Sequence, residues 1–216
     1  MSNPVQLMLR EQYSTPEQQR ETATFGMWIF LATEIMLFGG LFTAFTVYRL
    51  GHPVGFDEGS KDMSIVLGSI NTAVLITSSL TMALSIYSAA VGKLVRTYYL
   101  LLITAAIGIV FLIIKFTEYY QHYLAHKVPG IWFESSSPHA ASMQLFYVFY
   151  FAMTGLHAIH MTIGITLVVL FAFRTAAGSF DAEYHTPLET IGLYWHFVDI
   201  VWVFLFAIFY ISGLHT

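Results

Sequence analysis

The sequence predicts an all-α integral membrane protein, a single bundle of five transmembrane helices with the N-terminus inside and the C-terminus outside. Three observations lead there. Only 10% of the 216 residues are charged (nine Lys or Arg, thirteen Asp or Glu) and 56% are apolar, whereas a soluble domain carries about 25% charge. The charges are also segregated: the windows 25–48, 65–91, 98–114, 140–173 and 190–214 together hold only Glu34 and Asp199. Finally, the spans around these windows are long enough to supply the ~20 residues that cross ~30 Å of hydrocarbon. A soluble globular fold, a nucleic-acid-binding surface with its basic face and a disordered polar chain are all excluded. The net charge of −4 and the pI near 6.1 point to no polyanionic partner. With no cysteine in the chain, disulfides, Cys-ligated zinc and iron–sulfur clusters are excluded too.

Taken in order, residues 1–24 are polar, with Pro16 and mixed charges, and lack the basic start and apolar core of a cleavable signal. They are expected to form a short tail, leaving 25–216 as one five-helix domain. Span 25–48 is interrupted only by Glu34. Span 65–91 is uncharged but rich in hydroxyls and an amide, and Asn71, Ser78 and Ser85, seven apart, share one face suited to helix packing in lipid. Span 98–120 carries Lys115 and Glu118 in its last turns, span 143–173 carries His157 and His160, and span 190–214 carries His196 and Asp199. The connections 49–62, 92–96, 126–139 and 174–187 read as loops, and no inverted or parallel repeat of the transporter kind is visible.

Orientation follows from Lys and Arg near the span ends. An inside N-terminus puts Arg10, Arg20, Lys93, Arg96 and Arg174 on the inner side and Arg49, Lys61, Lys115 and Lys127 on the outer. The dense basic charge of the short GKLVR connection favours this arrangement. Trp28, Trp132 and Trp195 are expected near the membrane interfaces, Trp202 deeper, and Met143, Met153 and Met161 as gap fillers in the core.

Ionisable side chains inside a membrane are costly and usually face a bundle interior or a wet cavity. Glu34 and Asp199 each lie nine residues past the start of their spans, which at 1.5 Å per residue is ~14 Å deep. His157 and His160 are three apart on one face, as are His196 and Asp199, and Lys115 and Glu118. An imidazole and a carboxylate, or an ammonium and a carboxylate, can pair at that spacing. Three uses compete: a metal site, a proton or ion path, and mutual satisfaction between helices that fixes the packing. A carboxylate-bridged di-iron bundle needs paired Glu-x-x-His motifs, and the nearest approach is Glu118 and His122 at i, i+4.

Several motifs are more specific. Thr154, Gly155, His157, His160 and Gly164 form T-G-x-H-x-x-H-x-x-x-G, and Tyr194, Trp195, His196, Phe197, Val198, Asp199, Val201, Trp202 and Phe204 form Y-W-H-F-V-D-x-V-W-x-F. These, with WIFLATEIMLFGGLF around Glu34, INTAVLITSSLTMA and the Glu118–Tyr119 pair, resemble the cytochrome c oxidase subunit III family over about 24–214. The resemblance implies a non-catalytic core subunit of a bacterial haem–copper terminal oxidase, cytochrome c or quinol oxidase, in aerobic respiration. In that family haem and copper sit on partner subunits and no redox cofactor or metal is bound by subunit III itself. The implied partners are catalytic subunit I, subunit II and bound phospholipids, with a larger respiratory supercomplex beyond them; the implied location is the bacterial plasma membrane, N-terminus cytoplasmic and C-terminus periplasmic. Glu34 then corresponds to a buried, carbodiimide-reactive glutamate, and Glu34, Glu118, His157, His160, His196 and Asp199 become the structural, lipid-linked or proton-linked residues. The usual seven-helix form holds lipid in a cleft between its first two helices and the other five. This chain resembles the short five-helix form, shared with a protein associated with nitric oxide reductase; a stand-alone proton-coupled transporter is the reading from a different class.

Overall fold

The first helix begins earlier than hydropathy alone predicts. Thr15 caps it, its hydroxyl accepting from the Gln18 amide at 3.1 Å, and Pro16 occupies the first helical position, where a missing N–H costs nothing. Helix α1 therefore runs Pro16–Gly51, so the expected polar tail is helical from Pro16 onward. The computed structural model describes residues 13–130, 132–180 and 185–212. Arg10, the first half of the expected tail and the last two residues of span 190–214 lie outside the described residues.

A second departure follows at once. The connection 49–62, expected to be a loop, contains a short helix, α2, Pro53–Lys61. It is held close to the bundle by two glycines one turn apart. A Cβ on Gly55 would collide with Ser142, and one on Gly59 with the ring of Phe146. Small residues four apart let helix backbones approach closely, and α2 uses that to lie across the start of α5. Its acids then tie this end together. Asp57 pairs with Arg49 at 3.2 Å, Glu58 accepts from Ser137, and Asp62 accepts from Tyr147 at 3.1 Å and pairs with Lys127 at 3.3 Å.

The remaining helices are α3 Ile65–Ala90, α4 Leu94–Leu124, α5 Ala140–Ala176 and α6 Thr186–Phe206, the last continued by a π-helical turn, Ala207–Ile211. With α1, five helices are long and apolar enough to cross a membrane. This is the all-α transmembrane bundle that the charge segregation predicts. Packing is unequal: α3, α4, α5 and α6 close into a ring, α3 on α4, α4 on α5, α5 on α6 and α6 back on α3, while α1 lies outside against α5 and α6. Only Leu31, Phe38 and Phe45 of α1 are buried, a single seam at seven-residue spacing. By contrast α6 buries residues on most of its circumference, including Trp195 and Trp202.

Two expectations about side-chain placement part company here. Met143, Met153 and Met161 are buried in the core, and Trp28 and Trp132 are exposed. Trp195 faces the ring interior, not the lipid: it is 1% exposed and donates its indole N–H to Ser78 at 2.9 Å. Because α6 starts at Thr186, Trp195 falls in its third turn, inside the ring. Its ring and that of Tyr194 lie over Gly164, where a Cβ would stand 3.3 Å from both.

Candidate functional site

The buried polar residues fall into three constellations, each on a different wall of the bundle. The first joins α4, α5 and the π-helical turn. Lys115 is 1% exposed, and its ammonium spends its three donors on Glu118 at 2.9 Å and on the hydroxyls of Tyr150 and Tyr210 at 2.8 Å each. Tyr210 in turn donates to the Glu118 carboxylate at 2.7 Å. The rings of Tyr150, Trp202, Tyr119 and Tyr210 surround the ammonium at 4.4–5.4 Å, an arrangement that favours a desolvated cation. The i, i+3 spacing of Lys115 and Glu118 does form the pair it permits. Lys115 is accordingly part of the bundle interior and is not one of the loop charges.

The π-helical turn helps to place Tyr210. Phe209 and Tyr210 are both fully buried there, and the Phe209 carbonyl accepts from Ser60 of α2 at 2.8 Å. Carbonyls in a last helical turn need such outside donors. His122, one turn beyond Glu118, packs its ring against Tyr147 and Tyr150 at 5.5 Å, and among the described residues it forms no three-ligand cluster with Glu118.

The second constellation fastens α1 to α5. His160 Nε2 lies 2.9 Å from the Glu34 carboxyl, and its Nδ1 lies 2.9 Å from the Leu156 carbonyl. A carbonyl only accepts, so Nδ1 carries a proton. The Nε2–Glu34 contact then holds one further proton, shared between a carboxylic acid and an imidazole or between a carboxylate and an imidazolium. Tyr194 donates to the His160 carbonyl at 2.9 Å, and Phe38 packs on the imidazole at 5.4 Å. His157, three residues away, takes no part in this: it lies between Phe111 and Trp202 at 5.5 and 5.3 Å, with neither ring nitrogen partnered among the described residues.

The third lies between α3 and α6. Two indoles staple these helices, Trp195 to Ser78 and Trp202 to Thr72 at 3.1 Å. His196 Nδ1 bonds the Ser79 hydroxyl at 2.7 Å. The pairing of His196 with Asp199 that their spacing allows does not form. His196 is taken by a neighbouring helix, and both carboxylate oxygens of Asp199, a residue 7% exposed, have no hydrogen-bond partner among the described residues. The Ser79 hydroxyl stands beside that carboxyl as well, and can accept from His196 while turning its own proton toward Asp199. His196 and Asp199 line a groove of about 470 Å³ between the helices.

Among the described residues no three His, Asp or Glu side chains converge as a metal site. His160 and His196 are committed to hydrogen bonds with other groups, and His157 is enclosed by aromatic rings. The partners Tyr150, Tyr210 and Ser79 carry no mark in the sequence, because no spacing rule connects residues on different helices. One local signal does exist: Gly55–Gly59 behind Pro53 marks a helix made for close contact.

Comparison with known proteins gives one consistent family. The profile described as "Cytochrome c oxidase subunit III" matches residues 12–214. The chain is 32% identical to cytochrome c oxidase subunit 3 of Synechocystis sp. over 87% of its own length and 74% of that protein's. It is 32% identical to the same-named subunit of Thermostichus vulcanus over 86% and 85%. A protein of Staphylococcus epidermidis named "Probable quinol oxidase subunit 3" is 30% identical over 88% of each chain.

Proposed function

The chain belongs to the cytochrome c oxidase subunit III family, and from that premise we propose that it is the non-catalytic core subunit of a bacterial haem–copper terminal oxidase. It sits in the plasma membrane beside a catalytic subunit I and a subunit II, holds phospholipid at its surface and sustains proton uptake by its neighbour during turnover. Haem and copper belong to those partners. The observation that carries this reading is the family match across residues 12–214, together with buried polar groups whose hydrogen bonds serve helix packing. The six expected residues have different roles. Glu118 stabilises the end of the ring, Glu34 and His160 hold α1, His157 fills the aromatic core, and His196 and Asp199 face the α3–α6 groove.

An inside, cytoplasmic N-terminus is supported by the burial of Lys115, which leaves Arg49, Lys61 and Lys127 as the basic residues of the outer side. The test is purification in mild detergent, identification of the partner chains and a reduced-minus-oxidised spectrum. A haem-bearing partner and oxygen consumption by the complex are expected. A chain that purifies alone, or with a nitric oxide reductase, would overturn the assignment. The type of haem and the donor that reduces it, cytochrome c or quinol, come from the same preparation.

A further inference from the structure

Asp199 and His196 line the same groove between α3 and α6, yet they meet it differently. Both carboxyl oxygens of Asp199 are sealed from the surface and form no hydrogen bond with the described residues. The polar group beside them is the Ser79 hydroxyl. That hydroxyl lies 2.7 Å from His196 Nδ1. The other imidazole nitrogen, Nε2, has no hydrogen-bond partner among the described residues, and unlike both nitrogens of His157 it is not sealed. The three side chains form a row that begins at an enclosed carboxyl and ends at an open ring nitrogen.

Asp199 lies thirteen residues into the 26-residue apolar stretch Thr186–Ile211, which at 1.5 Å per residue is about 20 Å from its start. No Lys or Arg lines the groove, and among its lining residues His196 is the one other titratable group. A carboxylate there would have neither bulk water nor a cation, so the group carries its proton. A sealed acid exchanges that proton only through a neighbour that can both take one and give one. A hydroxyl does so, with one donor and two acceptor sites, and an imidazole does so with a nitrogen at each end of its ring. We propose that Asp199 is a proton-binding site loaded and emptied through Ser79 and His196, with His196 Nε2 as its port to the groove. In emptying, the Asp199 proton passes to Ser79 Oγ while the Ser79 proton passes to His196 Nδ1. The imidazolium so formed releases its Nε2 proton. One proton has left, and what remains is a carboxylate, an intact hydroxyl and a neutral imidazole protonated at Nδ1. Loading reverses each step. The route lies within this chain, so its failure leaves the assignment as subunit III intact.

The test is infrared spectroscopy of the full chain in lipid bilayer discs, transferred from ordinary to heavy water. A protonated-carboxyl band that Asp199→Asn removes is expected, and it should shift as deuterium replaces its proton. Ser79→Thr and Ser79→Val introduce side chains of the same shape, of which only threonine keeps the hydroxyl. The threonine variant is expected to exchange close to the rate of the unaltered chain. The valine variant should exchange about a hundredfold more slowly, the scale of one positioned proton-transfer group. His196→Phe is expected to slow exchange to a similar degree. The amide I band of each variant confirms that its helices are intact, and the two positions test the route independently if one variant fails to fold. Absence of a band that Asp199→Asn removes, or no exchange in the unaltered chain, would overturn the proposal. So would equal rates in the threonine and valine variants, which would reduce Ser79 to packing. Slowing by valine without slowing by phenylalanine would remove His196 from the route and overturn the port.

Discussion

Glu118 and Asp199 are acidic side chains sunk in the same ring of helices, 4% and 7% exposed, yet the protein treats them in opposite ways. Glu118 receives an ammonium and a phenol, and the ammonium is itself wrapped by four aromatic rings. Asp199 accepts no hydrogen bond from the described residues of its own chain. The cost of burying a charge is met at Glu118 within one polypeptide, so that site serves the stability of the bundle. At Asp199 the carboxyl oxygens are enclosed with, among the described residues, only the Ser79 hydroxyl beside them, and neither a cation nor a phenol is supplied. The Glu34–His160 contact stands between the two: it is complete, but it holds a helix that touches the ring along only one seam.

The largest effect that could break this comparison is at the cage. Lys115→Met strands Glu118, and loss of one partner of a buried pair costs about 3–5 kcal/mol. Lys115→Met combined with Glu118→Leu removes both charges and is expected to recover most of that loss. Reversible unfolding of the isolated chain in micelles measures both. A single variant as stable as the parent would show that the cage contributes nothing, and the contrast with Asp199 would lose its first half.

The next effect sharpens the middle case. A double-mutant cycle over Glu34→Ala and His160→Ala is expected to yield a coupling of about 1.5 kcal/mol, near the upper end for interhelical hydrogen bonds in membranes. The haem spectrum of the assembled complex should not change. A coupling near zero would mean that α1 is held by Leu31, Phe38 and Phe45 alone.

How much of this is legible in the sequence depends on where the partners lie. The five membrane helices follow from local composition, because hydrocarbon excludes charge wherever the chain crosses it. Lys115–Glu118 is readable since both residues ride on one helix. His196–Asp199 has the same spacing and does not pair, because spacing states which side chains can meet and tertiary packing decides which do. Ser79 reaches His196 from 117 positions away, and Glu34 reaches His160 from 126. No periodicity encodes such distances. Helix α2 escapes for a related reason: Gly55 and Gly59 look like loop glycines until Ser142 and Phe146 of α5 stand beside them.

The smallest effect is the most discriminating, because its sign is at stake. In the isolated chain Asp199→Leu removes an acceptor that has no donor and enlarges an apolar wall. Replacing an unsatisfied polar group by an apolar one is neutral or favourable, so a gain of about 1 kcal/mol or less in unfolding free energy is expected. The same exchange at Glu118 strands Lys115 and should cost about 3–5 kcal/mol. If Asp199→Leu instead destabilises the isolated chain by an amount close to Glu118→Leu, Asp199 is satisfied from within, by the Ser79 hydroxyl beside it.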